Sequence, residues 1–94
     1  MADRFVADAT IDPKAYVQIA DVSSAVGVPY GGGRVALIQV LNQHVRWRDD
    51  GTNPTTTVGM RIHAGETIFY VGNLRKIKFI EEAAGAEVNI AMYD

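Results

Sequence analysis

Apolar and polar residues alternate with a period of two along most of this chain. Val45 and Trp47 interleave with Arg46 and Arg48, Ile77 and Phe79 with Lys76 and Lys78, and Val88, Ile90 and Met92 with Glu87, Asn89 and Tyr93. Successive side chains of a strand point to opposite faces, so each run reads as a strand with one buried and one wetter face. Turn-forming residues interrupt these runs at short intervals: Asp12-Pro13, residues 29–33, residues 49–54, Ala64-Gly65, Gly72-Asn73 and residues 83–85. The pattern predicts strands over 3–9, 15–20, 34–48 with a bend near Asn42, 55–62, 66–71, 74–81 and 86–93. Short strands punctuated this often fold as an all-β protein, a single antiparallel β-sandwich or jelly-roll-like barrel with little or no helix. Residues 21–26 offer a cap in Asp21, Ser23 or Ser24, but Gly27 and Pro29 follow at once, and Gly85 ends any helix begun at Glu81.

Ninety-four residues make one domain, 1–94, near the lower end of what a single core stabilises. Residues 34–94 are the most regularly patterned, and residues 1–12 read as an N-terminal arm with a weak tie to that core. With 48% of the residues hydrophobic in so short a chain, self-association or docking on a larger surface is expected. A net charge of -2 argues against a nucleic-acid binder, which needs a basic face to displace counterions. Cysteine is absent, which excludes disulfides, thiol catalysis and thiolate metal sites. No apolar run approaches a membrane span, and Met1-Ala2-Asp3-Arg4 lacks a signal-peptide layout, so a soluble protein made in the cytoplasm is expected.

Each constellation that could carry chemistry has a simpler structural reading. Gly31-Gly32-Gly33 is followed by Arg34 and a strand-like run, whereas a phosphate loop needs Gly-Lys-Ser/Thr opening a helix. Asp49, Asp50 and Asn53 offer oxygen ligands without the spacing of a calcium loop, and Asp-Gly and Asn-Pro are what turns require. Asp50, Gly51 and Pro54 are therefore assigned to a structural turn. In it Gly51 is expected to take a backbone conformation disfavoured by a Cβ, and Pro54 to lie outside the ladder.

His44 and His63 are the only histidines, too few beside the dense His/Glu clusters of cupin-type barrels. Ser23 and Ser24 lack a nucleophile-elbow pattern, and Glu81 and Glu82, adjacent on a strand, point to opposite faces. No catalytic, cofactor-binding or metal site is assigned, and the chain is not expected to be an enzyme. Trp47, Ile77, Phe79, Val88 and Ile90 are assigned to the core. Arg46, Arg48, Lys76 and Lys78 are assigned to one outer sheet face, opposite the aromatics, where they suit salt bridges to an acidic protein partner.

The order Val45-Arg46-Trp47-Arg48-Asp49-Asp50-Gly51-Thr52-Asn53-Pro54-Thr55, then Val58-Gly59-Met60 and Ala64-Gly65-Glu66, resembles a group of small tailed-phage and prophage virion proteins. Gly72-Asn73-Leu74, Ile77-Lys78-Phe79-Ile80 and Val88-Asn89-Ile90-Ala91-Met92-Tyr93 are similar to that group's closing strands. The likeness covers roughly residues 34–94, and the first third departs from it. It implies a capsid decoration or cement protein, made in the host cytoplasm and carried on the capsid surface. Such a protein binds the major capsid protein, with β-sandwich or jelly-roll cores joined as dimers or trimers, and bridges neighbouring capsomers. Three rival readings remain: another virion module (head-completion, tail or fibre-associated), a small glycan-binding module stacking sugars on Trp47, Tyr70 or Tyr93, and a small cupin-like enzyme.

Overall fold

The computed structural model describes residues 13–29 and 34–93. The strand expected at 3–9, the arm at 1–12 and the Gly31-Gly32-Gly33 turn lie outside the described residues. The described residues form eight strands: β1 (Pro13–Ile19), β2 (Val26–Gly27), β3 (Val35–Leu41), β4 (Val45–Arg48), β5 (Met60–Ile62), β6 (Thr67–Val71), β7 (Lys78–Glu81) and β8 (Glu87–Tyr93). They form two four-stranded sheets in the orders β1-β8-β3-β6 and β2-β7-β4-β5, with every pairing antiparallel. First pairs with last, second with seventh, third with sixth and fourth with fifth. The chain is thus one long hairpin, rolled so that β3 also meets β8 and β4 also meets β7. That strand order is a jelly roll.

The expected 34–48 strand is divided, and its halves belong to different sheets. The break falls at Asn42, which stands at φ 78°, in the left-handed region that Asn tolerates better than most residues with a Cβ. Its side-chain amide donates to the Gly85 carbonyl at 3.2 Å, pinning the corner to the loop before β8. Two other expected strands are shorter than their patterns. Residues 55–59 form a loop in which the Thr55 side-chain oxygen accepts from the Thr57 and Val58 amides. Residues 73–76 close a turn through the Lys76 amide and the Asn73 carbonyl, so β7 begins only at Lys78. Near residue 21 the chain forms a local turn, not a helix, with the Asp21 carboxylate accepting from the Ser23 amide and hydroxyl. The two-residue β2 that follows is too short for a periodic signal.

The interior is apolar throughout. Ile38 and Val40 of β3, Val88, Ile90 and Met92 of β8, Val45, Ile62 and Phe79 of the second sheet, and Leu74 and Ile77 before β7 make one buried cluster. No polar or charged residue is buried among the described residues. Trp47, expected in the core, is only partly buried and packs against the cluster's margin, edge-to-face with Tyr70 at 5.9 Å between ring centroids. The reason lies in the register. Trp47 pairs with Phe79 on one side and with Met60 of the edge strand β5 on the other, and Met60 is 63% exposed. The inner face there runs out from under the first sheet.

Replacing Phe79 with Ala is expected to cost about 3–5 kcal/mol, as for a fully buried aromatic. Trp47→Ala should cost less, about 2 kcal/mol, because part of its surface is already wet. Urea unfolding of the two variants checks the order; an equal or larger loss at Trp47 would contradict this packing.

Candidate functional site

With the interior filled, the surfaces remain, and the two outer sheet faces differ in character. On the second sheet, Arg48 lies directly opposite Lys78, and Arg46 opposite both Arg61 and Ile80. Like charges facing across a ladder are unfavourable unless a counter-charge comes between them. Glu82, just past β7, supplies it. Its Oε2 accepts from Arg46 Nε at 2.9 Å and from Arg61 Nε at 2.8 Å, while Oε1 takes Arg61 Nη2 at 2.6 Å. The Arg61 hydrogen bonds, with Arg46 adding to them, hold the Glu82 carboxyl down to about 2 from the usual 4.5.

Arg46 Nη1 also donates to the Gly59 carbonyl at 3.0 Å, fastening the end of the 49–59 loop onto β4. Gly59, at φ 141°, approaches so closely that a Cβ would come within 3.1 Å of the Trp47 carbonyl. Arg48 clasps Asp50 with two nitrogens, Asp50 also accepts from the Thr52 amide, and Gly51 between them stands at φ 88°. Pro54 is buried in this loop, outside any strand. Lys78 Nζ reaches Asn53 Oδ1 at 3.1 Å.

The basic residues assigned to partner contact are therefore placed as follows. Arg46, Arg48 and Lys78 share one outer face, and each is tied to a group of its own chain. Lys76 does not join them: it is exposed in the 73–76 turn, off the sheet. The face is a charged surface that satisfies itself. Glu81 and Glu82 diverge, as adjacent strand positions require, with Glu81 Oε1 accepting from the Ala86 amide at 3.2 Å.

His44 and His63 do meet, with rings 5.2 Å apart and nearly perpendicular. His44 Nδ1 accepts from the Ala64 amide at 3.0 Å, and His63 Nδ1 lies 3.5 Å from Glu66 Oε1, so the pair organises the turn before β6. No cluster of three potential metal ligands occurs among the described residues.

A groove of about 520 Å³ opens beside the hairpin tip, lined by Trp47, Met60, Val58, Asp49 and Asp50 among others. Tyr70 braces it, donating its hydroxyl proton to Asp49 Oδ2 at 2.8 Å. Burial, with the Asp49 carboxylate adding to it, pushes the Tyr70 hydroxyl up to about 12. Gly72 leaves room for this ring, because a Cβ there would come 2.6 Å from the Tyr70 oxygen.

Of the residues given a candidate role from the sequence, only Tyr93 lies on the outer face of the first sheet, yet this is the more unusual surface. Its residues form rows across the four strands. Pro13, Tyr93, Val35 and Val71 make one row, and Tyr16, Ala91, Leu37 and Phe69 the next. Gln18, Asn89, Gln39 and Thr67 make a third. The first two rows are almost wholly apolar, with Tyr16 63%, Phe69 52% and Val71 64% exposed and Val35, Leu37, Ala91 and Tyr93 half-buried. The third is neutral and cross-linked, since Asn89 accepts from Tyr16 at 2.8 Å and donates to Gln39 at 3.1 Å. A signal was available in the sequence. Val35-Ala36-Leu37-Ile38 and Ile68-Phe69-Tyr70-Val71 are continuous apolar runs, the pattern of strands covered on both faces. No family model, curated protein or solved structure matches the chain.

Glu82→Gln is expected to melt below the parent protein at pH 7. A carboxyl whose folded-state value is depressed contributes stability above its unfolded value and loses it as the pH falls through the folded one. The gap between parent and variant should therefore close between about pH 4.5 and pH 2. Melting curves across that range check it, and a gap that persists at pH 2 would contradict the Arg46–Glu82–Arg61 bridge.

Proposed function

We propose that this chain is a non-enzymatic structural protein of a tailed-phage virion, a capsid decoration or cement protein that binds the outer shell and bridges neighbouring capsomers. The observation that carries the reading is the filled interior. Jelly rolls serve as capsid and lectin domains and as cupins. A cupin-like enzyme needs space and polar ligands between its sheets, but here Ile38, Phe79, Ile90 and Met92 occupy that space and are fully buried. What this module offers another molecule is shape and surface. The resemblance of residues 34–94 to small virion proteins supports docking on the major capsid protein as the use of such a module.

Cementing works by burial. An interface of ordinary size, about 800 Å² per partner, suffices for specific docking. Many symmetric sites on a shell then add avidity, because an adapter spanning a seam must release several contacts to leave. The braced 49–59 loop suits such docking, since little ordering is left to be done on binding.

The Trp47 groove favours a second reading, a glycan-binding module, because an accessible indole flanked by Asp49 and Asp50 offers both a stacking face and hydroxyl acceptors.

Quantitative mass spectrometry of purified phage particles from a host carrying this gene tests the first reading. The chain is expected in proportion to the major capsid protein, and heads depleted of it are expected to rupture at lower temperature. Absence from particles, or a proportion matching the tail, would overturn it. Retention on a glycan array that is lost in Trp47→Ala would instead favour the second.

A further inference from the structure

The outer face of β1-β8-β3-β6 has the makings of an interface with itself. The three rows themselves carry no charged residue, and the charges that border them, Lys14 in the bulge of the edge strand β1 and Glu87 at the start of β8, lie at the rim, so the centre of the face brings no like charges together. The face also has matching relief. Small Ala91 between larger neighbours leaves a depression of about 210 Å³, lined by Tyr16, Leu37, Gln39 and Thr67 among others. Tyr16 and Phe69 project beside it from the same row. A two-fold axis brings a patch against its own copy, so knobs and hollow on one surface are what such pairing needs.

The size is adequate. Strands about 4.8 Å apart, rising about 3.3 Å per residue, give this four-stranded face roughly 19 Å by 20 Å. Two such faces stacked together remove on the order of 1,000 Å² of accessible surface, about the minimum for a specific interface. The sequence agrees, because β3 and β6 are apolar on both faces while β4, with Arg46 and Arg48 outward, is not.

We infer that this face pairs with the same face of a second copy, the two first sheets stacking across a two-fold axis as a four-layer dimer. Phe69 and Tyr16 of each copy seat beside Ala91 and Leu37 of the other, and the charged second sheets face outward. This pairing goes beyond the virion reading and does not depend on it. In a capsid setting, it would leave both charged faces and both hairpin tips free, so that one dimer presents two identical docking surfaces.

Light scattering on the purified full chain across a micromolar range tests the pairing. The parent protein is expected at twice the 10.2 kDa of a single chain. Val71→Lys alone should raise the dissociation constant at least tenfold, and Phe69→Lys with Val71→Lys should give a monomer with an unchanged far-ultraviolet spectrum. Met60→Lys, exposed on the opposite sheet, should remain a dimer. The inference is overturned by a parent monomer throughout the range, by a trimer, by a dimer that survives Val71→Lys undiminished, or by a dimer lost in Met60→Lys. A monomer that dimerises only after removal of residues 1–12 would also overturn it, placing the chain's own N-terminal segment on the face. A monomer found on phage heads would sink the pairing alone, and a dimer missing from heads would sink the virion reading alone.

Discussion

Strand β8 lies between β1 and β3, and its alternation decides which side of the first sheet is inside. Val88, Ile90 and Met92 point inward and are fully buried, while Asn89, Ala91 and Tyr93 point out. A slip of one residue would turn all of these over, placing Asn89 in an apolar interior and three large side chains in water. The rest of the roll follows from this strand. Once β8 is fixed against β3, the corner at Asn42 directs β4 into the facing sheet, and the remaining hairpin closes over the core.

The same alternation leaves the protein with two unlike exteriors. On the second sheet, arginines that would repel across the ladder are reconciled by Glu82, and the 49–59 loop is secured by Arg46, Arg48 and Lys78. Those side chains maintain the architecture. On the first sheet the three outward rows are neutral and largely apolar, with Glu87 bounding them at the start of β8, and a small monomer has little reason to expose them. A filled interior, a self-satisfied charged face and a largely apolar face leave the two sheet exteriors as the surfaces that differ most in character.

Much of the fold was legible in the sequence, because strand periodicity and turn chemistry are local. The run around Val88, Ile90 and Met92, the bend near Asn42 and the turn at Asp50-Gly51 all leave marks within a few residues. Other features depend on what lies across the sheet. Trp47 alternates like a core residue, and only its pairing with the edge strand β5 shows why it is half-covered. Lys76 continues the alternation of β7 but falls in the turn set by Asn73. The apolar outer face was hidden for a related reason. Its rows combine Tyr16, Leu37, Phe69 and Ala91 from four separate strands, and no single stretch of sequence displays them together.

Pairing of two copies through the first sheet's outer face would bring side chains of different chains into contact. Isotope-filtered nuclear Overhauser measurements on a mixture of labelled and unlabelled chains address it directly. Such pairing predicts contacts between chains joining the Phe69 and Tyr16 rings to the Ala91 and Leu37 methyl groups. Interchain contacts confined to Met60 and Val58, or none at concentrations where the protein is fully folded, would contradict it.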